Sequence, residues 1–242
     1  MAASIKQLLS RLPRRASRQA RADHELAQRA QAMAAEGGFL GVPLEGFAQT
    51  GRTQLDALLT LGLSSDSKLL DIGCGCLRGG YWLIHFLAPG RYFGIEPHQH
   101  RVALGLRYLL EPEVQAEKRP RFDHNDTFDT SVFGERFDFF LAGSIWSHAS
   151  KPQVERTLDG FVRDTTDGAV FMASYVPATR PEDEYGGREW VGTSHTCDVP
   201  GVISHSLGWI QQACSQRGLK VSELPGYELD AQPWLAVRRT PG

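Results

Sequence analysis

The sequence has little cysteine, no long apolar run and no excess of positive charge. Its four cysteines, Cys74, Cys76, Cys197 and Cys214, are too few to staple a chain of 242 residues. Cys74-Gly75-Cys76 lacks the paired CxxC spacing of a zinc knuckle, so no metal site is expected and a reducing, cytoplasmic setting is. No apolar stretch approaches the ~20 residues that cross a bilayer. The longest runs, such as Phe137–Ala142 with Asp138 inside, have the length of buried strands. With 26 Lys and Arg against 28 Asp and Glu, the net charge of −2 supplies no global field for nucleic acid. Repeats and low-complexity blocks are absent as well.

The remainder is ordinary globular material, 41% hydrophobic and 22% charged. The length suits one large domain, or one domain with an appendage. Lys6, Arg11, Arg14, Arg15, Arg18 and Arg21 precede the first acid, Asp23. Such an arm formally resembles an organelle transit peptide. The helical pattern that continues through 23–35 favours a solvated helix or loose arm instead. After a loop containing Gly37, Gly38, Gly41 and Pro43, helical spacing of Phe47, Leu55, Leu58 and Leu59 predicts a helix over 46–61.

From Lys68 onward, strands and helices alternate. Strands are expected at 68–72, 91–96, 121–125, 137–142 and 169–176, with helices at 80–87, 103–110, 153–165 and 204–217. The chain closes with strands at 219–224 and 233–238. Those last two are separated by about eight residues including Pro225 and Gly226, too few for a helical crossover, so they should pair antiparallel. The expected architecture is α/β: a Rossmann-like, doubly wound, seven-stranded sheet, mostly parallel with a C-terminal antiparallel hairpin. N-terminal helices over 1–62 form an extension or cap on the body at 63–242, which carries a lid-like insertion at about 178–205. In such folds ligands bind at the C-terminal edge of the strands.

At that edge the first strand ends in Asp71-Ile-Gly-Cys-Gly-Cys76. Gly73 and Gly75 let backbone approach a ligand with no Cβ in the way, and the following helix turns free N–H groups toward it. A second signal lies at the end of the next strand, in Phe93-Gly-Ile-Glu-Pro97. A carboxylate there can accept hydrogen bonds from both hydroxyls of a ribose.

These stretches resemble the class I S-adenosylmethionine-dependent methyltransferases. The resemblance rests on Leu69-Leu-Asp-Ile-Gly-Cys-Gly75, Tyr92-Phe-Gly-Ile-Glu96, Asn125-Asp-Thr-Phe128, the segment 137–148 and the ending Gln232-Pro-Trp-Leu-Ala-Val237. It implies S-adenosylmethionine as cofactor. Gly73, Cys74, Gly75 and Cys76 would line its methionine part, with Asp71 supporting that loop. Glu96, beside Pro97, would hold the ribose. Asp126, with Thr127 or Phe128, would meet the adenine, and Gly143 and Ser144 would floor the sulfonium. One position departs from the family pattern: Leu77 stands where a further glycine is usual. Arg78 beside it either contacts the cofactor carboxylate or faces outward as a helix cap.

Methyl transfer is an in-line displacement, so positioning matters most, and a base can remove the acceptor's proton. His148, just after the fourth strand, is the candidate; the alternative is that it caps the next helix or packs on Trp146. Tyr185, Trp190, His195 and His205 fall in the insertion, which could lid the acceptor; the first three would line an acceptor pocket or simply pack. The expected acceptor is a hydroxyl or amine of a small molecule or glycan. The N-terminal helices either cover the cofactor or mediate self-association as a homodimer. Two rivals stand beside this reading. An NAD(P)-dependent oxidoreductase would share the glycine turn and the acid, but Gly73-x-Gly75-x-x-x-Gly79 misses GxGxxG and no Tyr-x-x-x-Lys pair occurs. A non-catalytic cofactor-binding protein of the same fold is the other.

Overall fold

The computed structural model describes residues 21–37, 43–192 and 201–240. The basic arm before Arg21, Gly38 and Gly41 of the connecting loop, His195 and Cys197 lie outside the described residues. Helix α1 (21–37) is followed by α2 (Phe47–Thr60), then β1 (Leu69–Ile72), α3 (Gly80–Phe86), β2 (Tyr92–Ile95) and α4 (Gln99–Leu109). Next come α5 (Pro112–Lys118), β3 (Arg121–Asp123), β4 (Phe137–Ala142), α6 (Lys151–Asp164) and β5 (Thr165–Ser174). The short strands β6 (Val176–Pro177) and β7 (Ser204–His205) precede α7 (Leu207–Ser215), β8 (Leu219–Leu229) and β9 (Gln232–Arg239).

Seven strands form one sheet in the order β3-β2-β1-β4-β5-β9-β8. The first five run parallel, and β9 is antiparallel to both β5 and β8. Every residue of β1 and β2 is buried, as a parallel strand covered on both faces requires. Two apolar layers result. One gathers Leu26, Met33, Phe47, Leu58, Leu83 and Leu104 from α1–α4 against one face of the sheet. The other packs Val154, Leu158 and Phe161 of α6 and Ile210 and Cys214 of α7 against the opposite face. Helix α6 begins at Ser150, whose N–H donates to the Gln153 side chain at 2.9 Å and so ties down one orphan donor at the N-terminus.

The N-terminal helices share this core. On α1, Leu26, Ala30 and Met33 recur at helical spacing and are buried, each large apolar side chain being worth about 1.5–3 kcal/mol. Arg29 adds hydrogen bonds to the Leu109 carbonyl (3.1 Å) and the Glu111 carboxylate (2.6 Å).

The structure corrects several expected boundaries. Helix α5 is an addition to the expected elements: none of its residues is buried, so it has no apolar stripe to read. Strand β5 begins at Thr165, directly after α6, rather than at Ala169. The connection in the final hairpin is shorter than the expected eight residues or so, only Asp230-Ala231 separating the two strands. Strand β8 runs through Pro225-Gly226 as an irregularity between Leu224 and Glu228, then resumes pairing as Glu228↔Pro233 and Leu229↔Gln232. Proline is tolerated there because β8 is the edge strand and needs no donor on its outer side.

Candidate functional site

The glycine loop leaves β1 at the centre of the sheet, between β2 and β4. Gly73 and Gly75 take φ of +73° and +56°, conformations in which a Cβ is disfavoured. Leu77 takes φ +66°, the left-handed conformation that a glycine at this place would adopt without strain. A leucine tolerates it here because its side chain is fully buried among α3 and α4. The loop is also clamped from outside. A Cβ on Gly105 of α4 would stand 2.5 Å from the Cys76 carbonyl oxygen, and one on Gly51 of α2 would stand 2.2 Å from that of Arg78.

Two narrow hollows lie end to end along this edge and share Gly73. The first, of about 40 Å³, is lined by Asp71, Gly73, Cys74, Gly75, Cys76, Gly79 and Gly143, with Arg78 and Gln54. The second, of about 10 Å³, is lined by Ile72, Gly73, Ile95, Pro97, Asn125, Asp126 and Phe128. Glu96 is buried at 1% exposure beside the loop. It accepts from the N–H of Gly75 (3.1 Å) and of His98 (3.0 Å), with Arg101 3.9 Å away. Burial still pushes its carboxyl above the usual range, against those donors. Asp71 accepts the Tyr92 hydroxyl at 2.8 Å, and its burial raises its carboxyl to about 7. Burial likewise keeps both loop cysteines as thiols, Cys76 pushed up to about 11. Among the described residues no cluster of three or more His, Cys, Asp or Glu could hold a metal.

At the second hollow, Asn125 organises the turn after β3: its side chain accepts from the Asp129 N–H at 3.0 Å and donates to the Asp123 carboxylate at 2.6 Å. That holds Phe128 at φ +60°, with its ring buried against the hollow and 6.3 Å from the ring of Trp190. Thr127 is exposed and faces a wider, solvent-open hollow of about 630 Å³, shared with Arg156 and Arg163 on the outer side of Phe128.

Past β4, Ser144 adopts φ +58° and its N–H donates to Ser174 Oγ at 2.8 Å. Gln232 completes the arrangement, its amide donating to Ser144 Oγ and accepting from Ser174 Oγ, both at 3.0 Å. Three strand ends are thereby fixed to one another beneath Gly143.

His148 belongs to neither narrow hollow. Its ring stacks on Trp190 (centroids 5.3 Å apart), not on Trp146, and its Nδ1 lies 2.7 Å from the Val191 carbonyl. Burial lowers its pKa, against hydrogen bonds to the carbonyls of Val191 and Gly201. The insertion is strapped to this segment by further bonds, from the Val191 N–H to the His148 carbonyl (3.0 Å) and from the Ile203 N–H to the Ser147 carbonyl (2.8 Å). His205 is fully buried, with Nε2 2.9 Å from the Ala149 carbonyl and its ring against Trp209, so it packs rather than lining a pocket. Tyr185 is half-buried, its N–H donating to the Ser204 carbonyl at 2.9 Å and its hydroxyl to that of Glu189 at 3.3 Å.

No protein-family model matches the sequence, and no curated protein matches it. Solved structures do. The chain superposes on DhpI, solved as a complex with SAH, with a TM-score of 0.59 at 13% identity over 91% of this chain and 98% of that one. Magnesium protoporphyrin IX methyltransferase from Synechocystis, solved with bound SAM, gives 0.58 at 14% identity over 88% and 90%. The sugar N-methyltransferase KedS8 from Streptoalloteichus gives 0.55 at 16% identity over 81% and 88%. The fold is that of the class I S-adenosylmethionine-dependent methyltransferases. In that fold's terms, β1 to β5 are the parallel strands and β9 and β8 the closing antiparallel pair.

Two residues of this methyltransferase-fold edge are poorly marked in the sequence. Gln54 on α2 reaches the first hollow although α2 precedes the Rossmann-like body. Its only signal is a polar residue inside the apolar stripe Phe47, Gly51, Gln54, Leu58. Arg78, for which the sequence allows two roles, is buried at 6% exposure and lines the same hollow.

Proposed function

We propose that this chain is an S-adenosylmethionine-dependent methyltransferase acting on a hydroxyl or amine of a small-molecule or glycan-like acceptor. The observation that carries the reading is the sequence of environments along one sheet edge. Polar side chains and loop N–H groups stand at one end, the Glu96 carboxylate in the middle, and an apolar hollow walled by Phe128 at the other. An amino-acid end, a ribose and an adenine need those three environments in that order. The SAH and SAM complexes of the similar structures support the cofactor, and the sugar methyltransferase among them supports the acceptor class.

When bound, the cofactor supplies an electrophilic methyl group on a sulfonium. The chain's task is then to hold and orient. Glu96 holds the ribose hydroxyls, Asp126 takes the adenine amine, and the Ser144–Ser174–Gln232 arrangement fixes the floor at Gly143. Orientation of this kind supplies several kcal/mol of barrier reduction. His148 contributes by holding the insertion against the segment after β4.

Calorimetric titration with S-adenosylmethionine, S-adenosylhomocysteine and NAD tests the cofactor; binding of NAD alone would overturn the reading in favour of an oxidoreductase. Incubation with a panel of amino sugars and hydroxylated small molecules, read by mass spectrometry, tests the chemistry. Methylated product supports transfer, whereas tight cofactor binding without product from any acceptor class points to a non-catalytic binding protein.

A further inference from the structure

Glu96, just past β2, is a buried acid whose lone pairs can be counted. A carboxylate has roughly four acceptor sites, and two are taken here: Oε2 accepts the Gly75 N–H at 3.1 Å and Oε1 that of His98 at 3.0 Å. One site is left on each oxygen, which matches the two hydroxyls of a ribose. Ionised, the group accepts from both hydroxyls. Protonated, it turns one oxygen into a donor, and one hydroxyl loses its acceptor. Burial works toward the protonated form.

Arg101 works the other way. Its side chain is 12% exposed, and its Nη1 stands 3.9 Å from Glu96 Oε1. It is the third residue of α4, so its cation lies at the helix end where the dipole disfavours positive charge. Burial opposes the guanidinium as well, and the Glu96 carboxylate is the largest influence that restores it. A helix by itself gains nothing from a buried arginine in its first turn; a carboxylate beside it does. The separation matters too. At hydrogen-bond distance the guanidinium fork would occupy the lone pairs that a ribose needs, whereas at 3.9 Å it acts on Glu96 as charge alone.

We propose that Arg101 is a positioning residue for ribose recognition: its charge keeps Glu96 an acceptor for both hydroxyls without competing for the lone pairs they use. The proposal rests on the S-adenosylmethionine reading of the site, in which Glu96 takes the ribose. The other titratable groups around Glu96 include Asp71, Cys74 and Cys76 from β1 and its loop, and His98 at the N-cap of α4. His124, after β3, adds its Nδ1 at 2.8 Å from the Glu96 carbonyl. All of these are common to every Arg101 variant, so a changed pH profile belongs to the guanidinium. The sign follows from the chemistry. Binding that needs the ionised acid is lost as pH falls through its folded pKa, and removing a neighbouring cation moves that loss to higher pH.

S-adenosylhomocysteine is titrated calorimetrically between pH 6 and pH 8 into the full chain and its variants, each checked for a cooperative thermal transition. Wild-type affinity should change by less than about threefold across that range. Arg101→Met should lose roughly ten- to hundredfold as pH falls, the cost of a lost hydrogen bond to a charged group. Arg101→Lys, which keeps the charge, should restore the flat profile. In a Glu96→Gln background, weak and flat by itself, adding Arg101→Met should change affinity by no more than about threefold. A second readout needs no ligand: followed by carbon-13 NMR, the Glu96 carboxyl should titrate at higher pH in Arg101→Met than in wild type. A flat Arg101→Met profile, an equal loss from Arg101→Met in the Glu96→Gln background, or an unmoved Glu96 titration would overturn the proposal. A moved Glu96 titration in a chain whose wild type binds no S-adenosylhomocysteine would instead sink the cofactor reading and leave the hold of Arg101 on Glu96 standing.

Discussion

Asp71→Asn separates the electrostatics of the loop from its shape. Asp71 is 5% exposed, and burial, reinforced by the nearby Glu96, pushes its carboxyl up to about 7 despite the hydroxyl donated by Tyr92. In the unfolded chain an aspartate titrates near ~3.9. The unfolded state therefore gives up its proton first. The stability that the neutral carboxyl contributes is full below about pH 4 and is lost as pH rises to 7. A rise from ~3.9 to about 7 corresponds to about 4 kcal/mol in total, of which about 3 kcal/mol falls between pH 5 and pH 8. Asparagine has the same size, keeps an acceptor for Tyr92 and carries no charge to bury. Its NH₂ group, left without an acceptor, costs about 1–3 kcal/mol at every pH. The variant should thus melt below the wild type at pH 5 and draw level with it or pass it at pH 8. For a chain of this length the difference in Tm should swing by roughly 6–12 °C across that range. Thermal unfolding followed by the fluorescence of the five tryptophans, without ligand and at constant ionic strength, reads it directly. A Tm difference that stays flat from pH 5 to pH 8 would refute the argument, because only a buried titrating carboxyl gives the slope.

Leu77→Gly should be less destabilising than Leu77→Ala, the reverse of the usual order. Both delete a buried side chain worth about 2.7–5 kcal/mol, but only glycine also releases the ~1–2 kcal/mol of left-handed strain; denaturant midpoints in which alanine is the milder change would contradict this. Gly105→Ala should cost at least about 1–3 kcal/mol, since its Cβ meets backbone of Cys76 that cannot yield, whereas Gly168→Ala, with nothing within 4 Å, should lie within about 0.5 kcal/mol of wild type. His148→Gln tests the strap. Once an acceptor is known, the acid limb of the kcat/KM profile should persist in the variant while Tm falls; disappearance of that limb would make His148 the proton acceptor after all. His148 and His205 both have lowered pKa values, chiefly from burial, so each adds stability that is present above about pH 6.5 and is lost as pH falls through its folded value. Replacing His205 with Gln should flatten the acid side of the stability curve, and an unchanged acid limb would show that its burial is not what titrates.

The glycine loop, the acid ending β2 and the alternation of strands with helices were readable because each is a local signal. A period of two or 3.6, a turn that demands glycine, and a charge closing an apolar strand all lie within a few residues of one another. Helix α2 was equally visible, but what it does was not. Gln54 reads as a flaw in an apolar stripe until the fold lays that stripe against Gly79. The length of the hairpin's strands was also hidden. Pro225-Gly226 has the composition of a turn, yet pairing on both sides of it, Leu224 with Trp234 and Glu228 with Pro233, extends the ladder further than turning there would. The actual turn falls on Asp230 and Ala231, both at positive φ, with no glycine to announce it.

His148 marks the same boundary from the side of function. Its place after β4 was set by the sequence, whereas its partners, Trp190 and the Val191 carbonyl, come from an insertion more than 40 residues later (|i−j| = 43 for the Val191 bond). The chain's own order determined the sheet, the loop and the acid, since those follow from backbone sterics and hydrophobic period. Only the tertiary structure decided which side chains face the loop, because Gln54 reaches its hollow from α2, and Arg78 meets Asp230 of the β8–β9 turn, through packing that no local rule encodes.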